Sequence, residues 1–324
     1  MTGSRGHVYG PVRSRRMGAS LGVDVVPMKV CTYDCIYCQL GPTQTLTTER
    51  VAFYPVDEIL ADVEKWLRSR PAPDVITFAG SGEPTLFSQM GELIREVKGL
   101  TRIPLALLTN GSLFHDPDVR RESSCADIVL PSLDAGDEET FQLVNRPAPG
   151  LTLDEVTRGL VEFRREYAGE IRLEVMVLDG ITDIPDRVAQ IARLARRIQP
   201  DRIDLNTPVR PTFDERAVPV PWERLAELAE LFSPVAEVVA ETGTPGDESA
   251  VSRSPQGEEI LALLFRRPCT ADDIAAGLGL HPVAVMKELA LLRRRGQVHR
   301  VVRGARVFWH ARAEGKGELQ EDLR

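Results

Sequence analysis

The feature that most constrains the fold is a regular alternation of short apolar runs with amphipathic helical patterns. The runs are rich in leucine and β-branched residues, as expected of buried strands. Strand candidates occupy residues 21–27, 75–79, 105–109, 128–133, 171–178 and 203–206. Helix candidates lie between them at residues 56–70, 89–98, 138–144, 153–167 and 185–198. The alternation predicts an α/β fold with a parallel sheet, either a partial (β/α)6 TIM-like barrel or a doubly wound open sheet.

Polar residues and glycines follow the predicted strands where each strand ends. In a β/α barrel these ends meet at one face, and that face carries the working residues. The residues in question are Cys31, Gly80, Gly82, Glu83, Asn110, Ser132, Asp134 and Asn206, with Glu174 inside the fifth strand. Because these strand ends converge on one rim, the sequence predicts a single site there.

Three cysteines lie on one short loop after the first predicted strand. Cys31, Cys35 and Cys38 form a C-x₃-C-x₂-C pattern. Three thiolates at this spacing can hold three corners of a cubane [4Fe-4S] cluster. Since no fourth cysteine lies nearby, the fourth iron is expected to stay open to a ligand that the protein does not supply.

Other uses of the three cysteines fit the sequence less well. Structural zinc usually takes four protein ligands, whereas Cys125 and Cys269 are distant and unpaired. His7 and His115 have no ligand-like spacing to the cysteine loop. A disulfide would leave an odd thiol, and five cysteines in 324 residues do not make a secreted scaffold. An iron–sulfur cluster is therefore favoured.

Length and composition limit the kinds of protein that this chain can be. With 324 residues and 43% hydrophobic content, the chain has material for one large domain and a small one. No uncharged apolar run reaches the length of about 18 residues that a membrane-spanning helix needs. The first residues lack the apolar stretch of a signal peptide. We therefore expect a cytoplasmic protein without a membrane partner, in a reducing compartment that suits an oxygen-sensitive cluster.

The cysteine loop and the second strand end resemble a known superfamily. An aromatic residue, Tyr37, precedes the last cysteine, and the segment 80–84 reads Gly-Ser-Gly-Glu-Pro. Both motifs are similar to those of the radical S-adenosylmethionine (SAM) enzymes. The resemblance implies that SAM chelates the open iron. One electron, from a reductant such as flavodoxin or ferredoxin, would then cleave SAM to a 5′-deoxyadenosyl radical.

The same resemblance implies roles for the strand-end residues. Gly80, Gly82 and Glu83 would meet the SAM amino group, and the backbone of Tyr37 would contact adenine. The ribose, the carboxylate or a substrate would face Asn110, Ser132, Asp134 and Asn206. Each polar residue could instead have a purely structural role. Asn, Asp and Ser favour turns and helix caps, and a glutamate stabilises a helix N-terminus.

A narrower resemblance covers about residues 8–211. It includes Lys29, the run Cys38-Gln-Leu-Gly41 and the run Ser132-Leu-Asp-Ala135. These motifs are similar to those of the Fe-S oxidoreductases related to wyosine-tRNA synthases. The chain lacks the second cysteine triad of the wyosine enzymes, so their reaction is not carried over, while a tRNA substrate stays open. Arg13, Arg15 and Arg16 form either an anion-binding rim or a solvated basic arm.

The C-terminal quarter has a different organisation. Three helical patterns at residues 256–266, 271–278 and 282–295 precede two apolar alternations at 297–302 and 305–309. Thr270 and Asp273 have capping-box spacing. This order predicts a small winged helix-turn-helix. The predicted domains are a radical SAM core at 1–245, a linker at 246–256, a winged-helix-like domain at 257–312 and a polar tail at 313–324.

Charge is distributed unevenly between the predicted domains. The chain carries a net charge of −8, yet residues 251–324 alone sum to +4. Basic residues crowd the third helix and the hairpin, namely Lys287, Arg293, Arg294, Arg295, Arg300, Arg303 and Arg306. Such a surface fits a nucleic acid, although a leader peptide or a purely structural role is equally compatible.

Three functional hypotheses follow from the sequence. The first is a radical SAM enzyme that acts on a substrate such as RNA or a peptide. The second is a regulator in which the cluster senses redox state for a nucleic-acid-binding domain. The third is a scaffold that delivers a cluster. A SAM-binding element around Glu83 favours the enzyme, because a sensor has no need to hold SAM.

Overall fold

A computed structural model of the protein describes residues 6–14, 16–212, 214–239, 257–280, 282–304 and 306–312. The predicted linker at 246–256, the predicted polar tail at 313–324 and Arg15 lie outside the described residues. The chain divides into two compact units, Met1–Pro245 and Gly246–Arg324. Each unit is described by itself.

An eight-stranded sheet forms the centre of the first unit. Its strands follow the order β1-β2-β5-β6-β7-β8-β9-β10, while β3 and β4 pair separately. The strands are β1 Val8–Ser14, β2 Gly18–Val23, β3 Val30–Cys31, β4 Thr45–Leu46, β5 Val75–Phe78, β6 Leu105–Thr109, β7 Ile128–Pro131, β8 Glu170–Met176, β9 Arg202–Asn206 and β10 Glu237–Val238. Every pair from β2 to β10 is parallel, and β1 lies antiparallel against β2. The predicted parallel sheet is confirmed.

Strand order decides between the two architectures left open by the sequence. A doubly wound sheet reverses its strand order at a switch point. Here each new parallel strand adds on the same side of the one before it. The sheet is therefore singly wound, as in a partial TIM-like barrel, and β1 and β10 form its two edges.

Helices connect the parallel strands. They are α1 Val56–Ser69, α2 Met90–Leu100, α3 Pro117–Ser123, α4 Glu138–Val144, α5 Leu153–Glu166, α6 Pro185–Ile198 and α7 Trp222–Ala229. In α6 the buried residues Val188, Ile191, Ala192 and Ala195 recur at three- and four-residue spacing, so one face of the helix packs on the core. The core lies between such faces and the sheet.

The sheet presents a polar face on the side that carries the site. Along β8, Ile171, Leu173 and Val175 are buried, whereas the alternate residues, including Glu174, are half-buried. Alternation of this kind places neighbouring side chains on opposite faces of a strand. The covered face packs under the helices, and the polar face lines a cavity.

The second unit contains three helices and a hairpin in the predicted order. They are α8 Gly257–Leu264, α9 Ala271–Leu278, α10 Pro282–Arg294, β11 Val298–Arg303 and β12 Arg306–Ala311. The predicted capping box is present, with Asp273 N donating to Thr270 Oγ1 at 3.1 Å and Thr270 N donating to Asp273 Oδ2 at 3.1 Å. Its identification as a winged helix remains a prediction.

No helix in the described part of the chain combines the length and the apolar character that crossing a bilayer requires.

Candidate cofactor site

A cavity of about 280 Å³ lies at the carboxyl ends of β5, β6 and β7. Most of the predicted site residues line it, namely Cys31, Cys35, Cys38, Tyr37, Gly80, Gly82, Glu83, Asn110 and Ser132. Asp134 and Asn206 do not line it. The three cysteines and the second strand end thus meet in one place.

Backbone hydrogen bonds hold the cysteine loop against the loop after β5. Lys29 N donates to Ser81 O at 2.8 Å, and Glu83 N donates to Val30 O at 3.1 Å. A Cβ at Gly82 would lie 1.9 Å from the carbonyl oxygen of Val30. Glycine at this position therefore permits the approach of the two loops.

Ser81 stands between the two glycines, where the sequence departs from the superfamily pattern. Its hydroxyl donates to Asp24 Oδ2 at 2.5 Å, and its N–H donates to Asp24 Oδ1 at 3.1 Å. A Cβ at Gly80 would lie 2.4 Å from the Asp24 carboxyl carbon. The serine thus ties the loop to a buried carboxylate at the end of β2.

Glu83 is buried and accepts four hydrogen bonds from the protein. Its Oε1 accepts from Thr85 N at 3.0 Å, from Thr85 Oγ1 at 2.6 Å and from Thr109 Oγ1 at 2.6 Å. Its Oε2 accepts from Asn110 N at 2.7 Å. Burial raises the pKa of Glu83, and these hydrogen bonds oppose the rise. Glu83 also caps a 3₁₀ turn at Pro84–Leu86, so the structural role that the sequence left open for this residue is present. Its contact with SAM remains a prediction.

Asp134 has protein partners on both of its oxygens. Tyr37 Oη donates to Oδ2 at 2.5 Å, Asn145 Nδ2 donates to Oδ2 at 2.8 Å, and Met176 N donates to Oδ1 at 2.9 Å. Burial raises the pKa of Asp134. The carboxyl group links the cysteine loop, through Tyr37, to the end of β8. The predicted contact of Asp134 with cofactor or substrate is not visible in this arrangement.

Each cysteine sulfur in the loop receives a side-chain N–H. Two of the donors are neutral amides and the third is an ammonium group. The pairs are Asn110 Nδ2 to Cys31 Sγ at 3.7 Å, Asn145 Nδ2 to Cys35 Sγ at 3.6 Å and Lys29 Nζ to Cys38 Sγ at 3.0 Å. Donors to sulfur stabilise thiolates and tune the metal that the thiolates bind.

The donor set fits a cluster better than a single metal ion. Among the described residues, no three His, Cys, Asp or Glu side chains are placed to hold one ion. A cubane gives each thiolate its own iron, so the thiols of a cluster site stand apart. Burial raises the pKa of Cys31 to about 12 and also raises that of Cys35. These thiols therefore keep their protons at neutral pH until iron binds, and the iron then displaces each proton into the solvent as the thiolate ligand forms.

The remaining predicted residues have mixed positions. Ser132 lines the cavity, and its N–H donates to Thr109 O at 3.1 Å. Asn206 is buried at the end of β9, and its Oδ1 has no hydrogen-bond partner among the described residues. Arg16 pairs with Glu174 on β8 and lies 3.8 Å from Asp204 on β9. The charge of Arg16 is balanced by these carboxylates, which does not favour the predicted anion-binding rim.

Sequence reasoning misses several residues that build the site. Tyr33 lines the cavity, and its buried hydroxyl has no partner within the described part of the chain. Asp24 and Asn145 hold the surrounding loops. Tyr33 lies between two of the cysteines in the sequence, so its position alone could have identified it as a candidate site residue. No local pattern distinguishes Asp24 or Asn145 from turn residues.

Comparison with known proteins agrees with this site. Residues 25–195 match the model of the radical SAM superfamily. The chain therefore belongs to the radical SAM superfamily, and the cofactors of that superfamily are a [4Fe-4S] cluster and S-adenosylmethionine. This result confirms the predicted superfamily and its cofactors.

Two curated relatives illustrate the range of similar proteins. A UPF0026 protein of Helicobacter pylori is 34% identical over 295 residues, which cover 90% of this chain and 93% of that protein. A protein named GTPase Obg from Brachyspira hyodysenteriae is 38% identical over 292 residues, covering 90% of this chain. The chain spans 43% of the length of the latter protein.

Among solved structures, a radical SAM methyltransferase from Sphaerobacter thermophilus is similar with a TM-score of 0.45 and 18% identity. The match covers 68% of this chain and 65% of that chain.

Proposed function

We propose that this protein binds a [4Fe-4S] cluster through Cys31, Cys35 and Cys38 and uses it to cleave SAM. When bound, the cluster supplies one electron that breaks the sulfonium bond, and the resulting 5′-deoxyadenosyl radical abstracts a hydrogen atom from a substrate. One observation carries the proposal. Three thiols, each with an N–H donor, line one cavity together with the glycine-glutamate loop.

The residues around the cavity support SAM binding. Gly80 and Gly82 line the cavity, and the absence of a Cβ lets their loop lie close to Asp24 and to the cysteine loop, so that its backbone faces the ligand. Glu83 Oε2 accepts one protein hydrogen bond, which leaves room for an ammonium group of SAM. Asn110 and Ser132 offer polar groups for the ribose or the carboxylate. The Tyr33 hydroxyl offers a further donor.

The structure gives less support for a contact between SAM and either Asp134 or Asn206. The oxygens of Asp134 already accept from the protein, so we assign it the role of fixing Tyr37. Asn206 retains a buried oxygen without a described partner, which a substrate group can satisfy.

Formation of 5′-deoxyadenosine tests the proposal. Protein reconstituted with iron and sulfide under anaerobic conditions is incubated with SAM and dithionite, and the product is measured by mass spectrometry. We expect product from the unaltered protein and none from Cys35→Ala. Cys125→Ala is the matched control, because Cys125 contacts Arg95 away from the cavity, and it should retain the product.

The same experiment separates the competing functions. A redox-sensing regulator or a cluster-delivery scaffold would bind iron without forming 5′-deoxyadenosine. GTP hydrolysis, suggested by the name of one relative, has no support here, because the sequence lacks the G-x₄-G-K-S/T phosphate loop. Flavodoxin or ferredoxin is the proposed physiological reductant, and the cytoplasm is the proposed location.

RNA is the proposed partner of the second unit. The 20 residues from 293 to 312 contain seven arginines and no acidic residue. Arg303 stands directly across from Arg306 in the hairpin. Such a concentration of positive charge is typical of a surface that binds phosphates. Arg300 and Arg306 are exposed and can reach phosphates.

Salt-dependent binding tests this partner. Fluorescence anisotropy with a labelled transfer RNA is measured over a range of salt concentrations for Arg300→Ala/Arg306→Ala. We expect weaker binding and a log–log salt slope that is smaller by about two, because each removed arginine leaves one phosphate without its cation. Arg68→Ala/Arg158→Ala removes two exposed arginines of the first unit and should leave the slope unchanged.

Equal binding by both double variants would contradict the assignment to the hairpin. A DNA duplex serves as the second probe, and tighter binding to DNA than to RNA would contradict the choice of RNA. Binding of a peptide, without binding of either transfer RNA or the DNA duplex, would also contradict the choice of RNA.

A further inference from the structure

Lys29 is a buried lysine that the proposed chemistry does not yet use. Its side chain is 4% exposed. Its backbone has φ 60°, in the left-handed region that non-glycine residues rarely adopt. The N–H donates to Ser81 O at 2.8 Å, and the carbonyl accepts from Gln44 N at 3.0 Å and Thr45 N at 3.1 Å. The surrounding loops thus fix the backbone of Lys29 in a conformation that costs free energy.

The ammonium group of Lys29 points at a cysteine sulfur. Lys29 Nζ lies 3.0 Å from Cys38 Sγ. No carboxylate of the described residues lies within 4.0 Å of this ammonium. A buried charge is costly unless it is paired. A neutral thiol is a weak acceptor, whereas a thiolate bound to iron carries the negative charge that this lysine requires.

Lys29 differs from the other two donors to sulfur. Asn110 and Asn145 bring neutral amides to Cys31 and Cys35 at longer distances. An amide can orient and polarise a thiolate, but only a cation changes the net charge next to the cluster. Three thiolates outweigh the charge of the oxidised cluster core, so the assembly is anionic before it accepts an electron. A further electron increases that negative charge.

We propose that Lys29 is a positioning residue that raises the reduction potential of the cluster by compensating this negative charge. In the step concerned, one electron passes from the external reductant to the [4Fe-4S]²⁺ core and gives [4Fe-4S]⁺, and no proton is transferred. Net charge and hydrogen bonds to sulfur are among the factors that set such potentials. The inference rests on the proposed function, because it requires that the three cysteines bind a cluster.

The midpoint potential tests the inference without any measurement of activity. Reconstituted protein is titrated with dithionite under anaerobic conditions, and the reduced cluster is quantified by electron paramagnetic resonance. In Lys29→Met the ratio of reduced to oxidised cluster at a fixed potential should fall about tenfold, which for a one-electron couple is a midpoint about 59 mV lower. Lys29→Arg keeps the charge and should restore most of the potential. Lys65→Met removes an exposed lysine of α1 and should have no effect.

The iron content of each variant separates the possible outcomes. Equal midpoints in Lys29→Met, Lys29→Arg and the unaltered protein would overturn the inference while leaving the proposed function intact. Should Lys29→Met fail to take up iron, Lys29→Gln replaces it, because the amide keeps a donor without charge. Equal midpoints in Lys29→Gln and Lys29→Arg would then overturn the inference, as would iron uptake lost in all three variants. An unaltered protein without a cluster would instead contradict the proposed function.

Discussion

The cavity of the first unit and the hairpin of the second unit carry their charges in opposite ways. Around the cavity, Glu83, Asp134 and Lys29 are buried, and each has a partner within the protein. In the hairpin, Arg300 is exposed. A charge that is already paired and buried organises a site for chemistry, whereas an exposed charge is available to another molecule. We therefore propose catalysis for the first region and binding for the second.

The largest expected effect comes from closing the space between the two cavity loops. In Gly82→Ala the new Cβ would lie 1.9 Å from the Val30 carbonyl oxygen, so the cysteine loop must move. We expect loss of cluster incorporation and a free energy of unfolding lower by about 1–3 kcal/mol. Iron content after reconstitution and urea denaturation of the apoprotein measure the two effects.

Gly99→Ala is the control for this change. The new Cβ meets no atom within 4 Å and lies in α2, where alanine favours the helix. We expect unchanged iron content and a gain of about 0.5–1 kcal/mol in stability. Normal iron content in Gly82→Ala would show that the two loops need not approach closely.

A second prediction concerns the buried carboxylate. Glu83→Gln keeps the shape of the side chain but turns one acceptor into a donor, which faces either Asn110 N or the donors from Thr85 and Thr109. We expect a free energy of unfolding lower by about 1–3 kcal/mol, because a buried donor loses its partner. SAM binding, followed by calorimetry on the reconstituted protein, should weaken as well.

The matched control is Glu96→Gln, which makes the same change at an exposed position of α2. It should change neither the free energy of unfolding nor the affinity for SAM. A Glu83→Gln protein with unaltered stability would contradict the hydrogen-bond network described for this carboxylate.

The smallest effect is a difference in pH response between the two regions. Burial lowers the pKa of His310 to about 4, and the neighbouring His299 contributes to the shift. The folded hairpin thus binds this proton less readily than the unfolded chain, whose histidine titrates at about 6.5. Stability of the hairpin is therefore retained above pH 6.5 and lost as the pH falls toward 4.

The cavity should respond in the opposite direction. Burial raises the pKa of Glu83 and Asp134, so their protonation on acidification favours the folded state. Amide hydrogen exchange at pH 7 and pH 5, corrected for the intrinsic rate, compares the two regions. We expect exchange in residues 298–311 to become faster between pH 7 and pH 5, and exchange in the cavity loops to become slower. In His310→Phe the pH dependence of the hairpin should become smaller, and the remainder should come from His299, whose pKa burial also lowers. An unchanged pH dependence would contradict the role of His310.

The sequence predicts the β/α alternation and the convergence of strand ends well, because both depend on patterns that repeat along the chain. It does not predict β1, whose Gly10-Pro11 pair and arginines hide a strand pattern, although an edge strand tolerates proline. It also does not predict the helices α3 and α7, of which α3 buries only Val119 and Ser123 and so shows no apolar stripe in the sequence.

The candidate site can be predicted only in part for a similar reason. Cys31, Gly82 and Glu83 belong to local motifs, which the sequence shows directly. The partners of Asp134 come from residues 97, 11 and 42 positions away in the chain, so no local pattern reveals them. The contact of Lys29 with Cys38 depends on a left-handed backbone at residue 29. The presence of a lysine at a position does not predict that conformation.

Mössbauer spectroscopy of protein reconstituted with ⁵⁷Fe, with and without SAM, tests most directly whether three cysteines hold a cluster with one accessible iron. We expect four irons per chain and a spectrum in which one iron of the four changes its isomer shift when SAM is added. A spectrum that SAM leaves unchanged, or fewer than four irons per chain in the fully reconstituted protein, would contradict it.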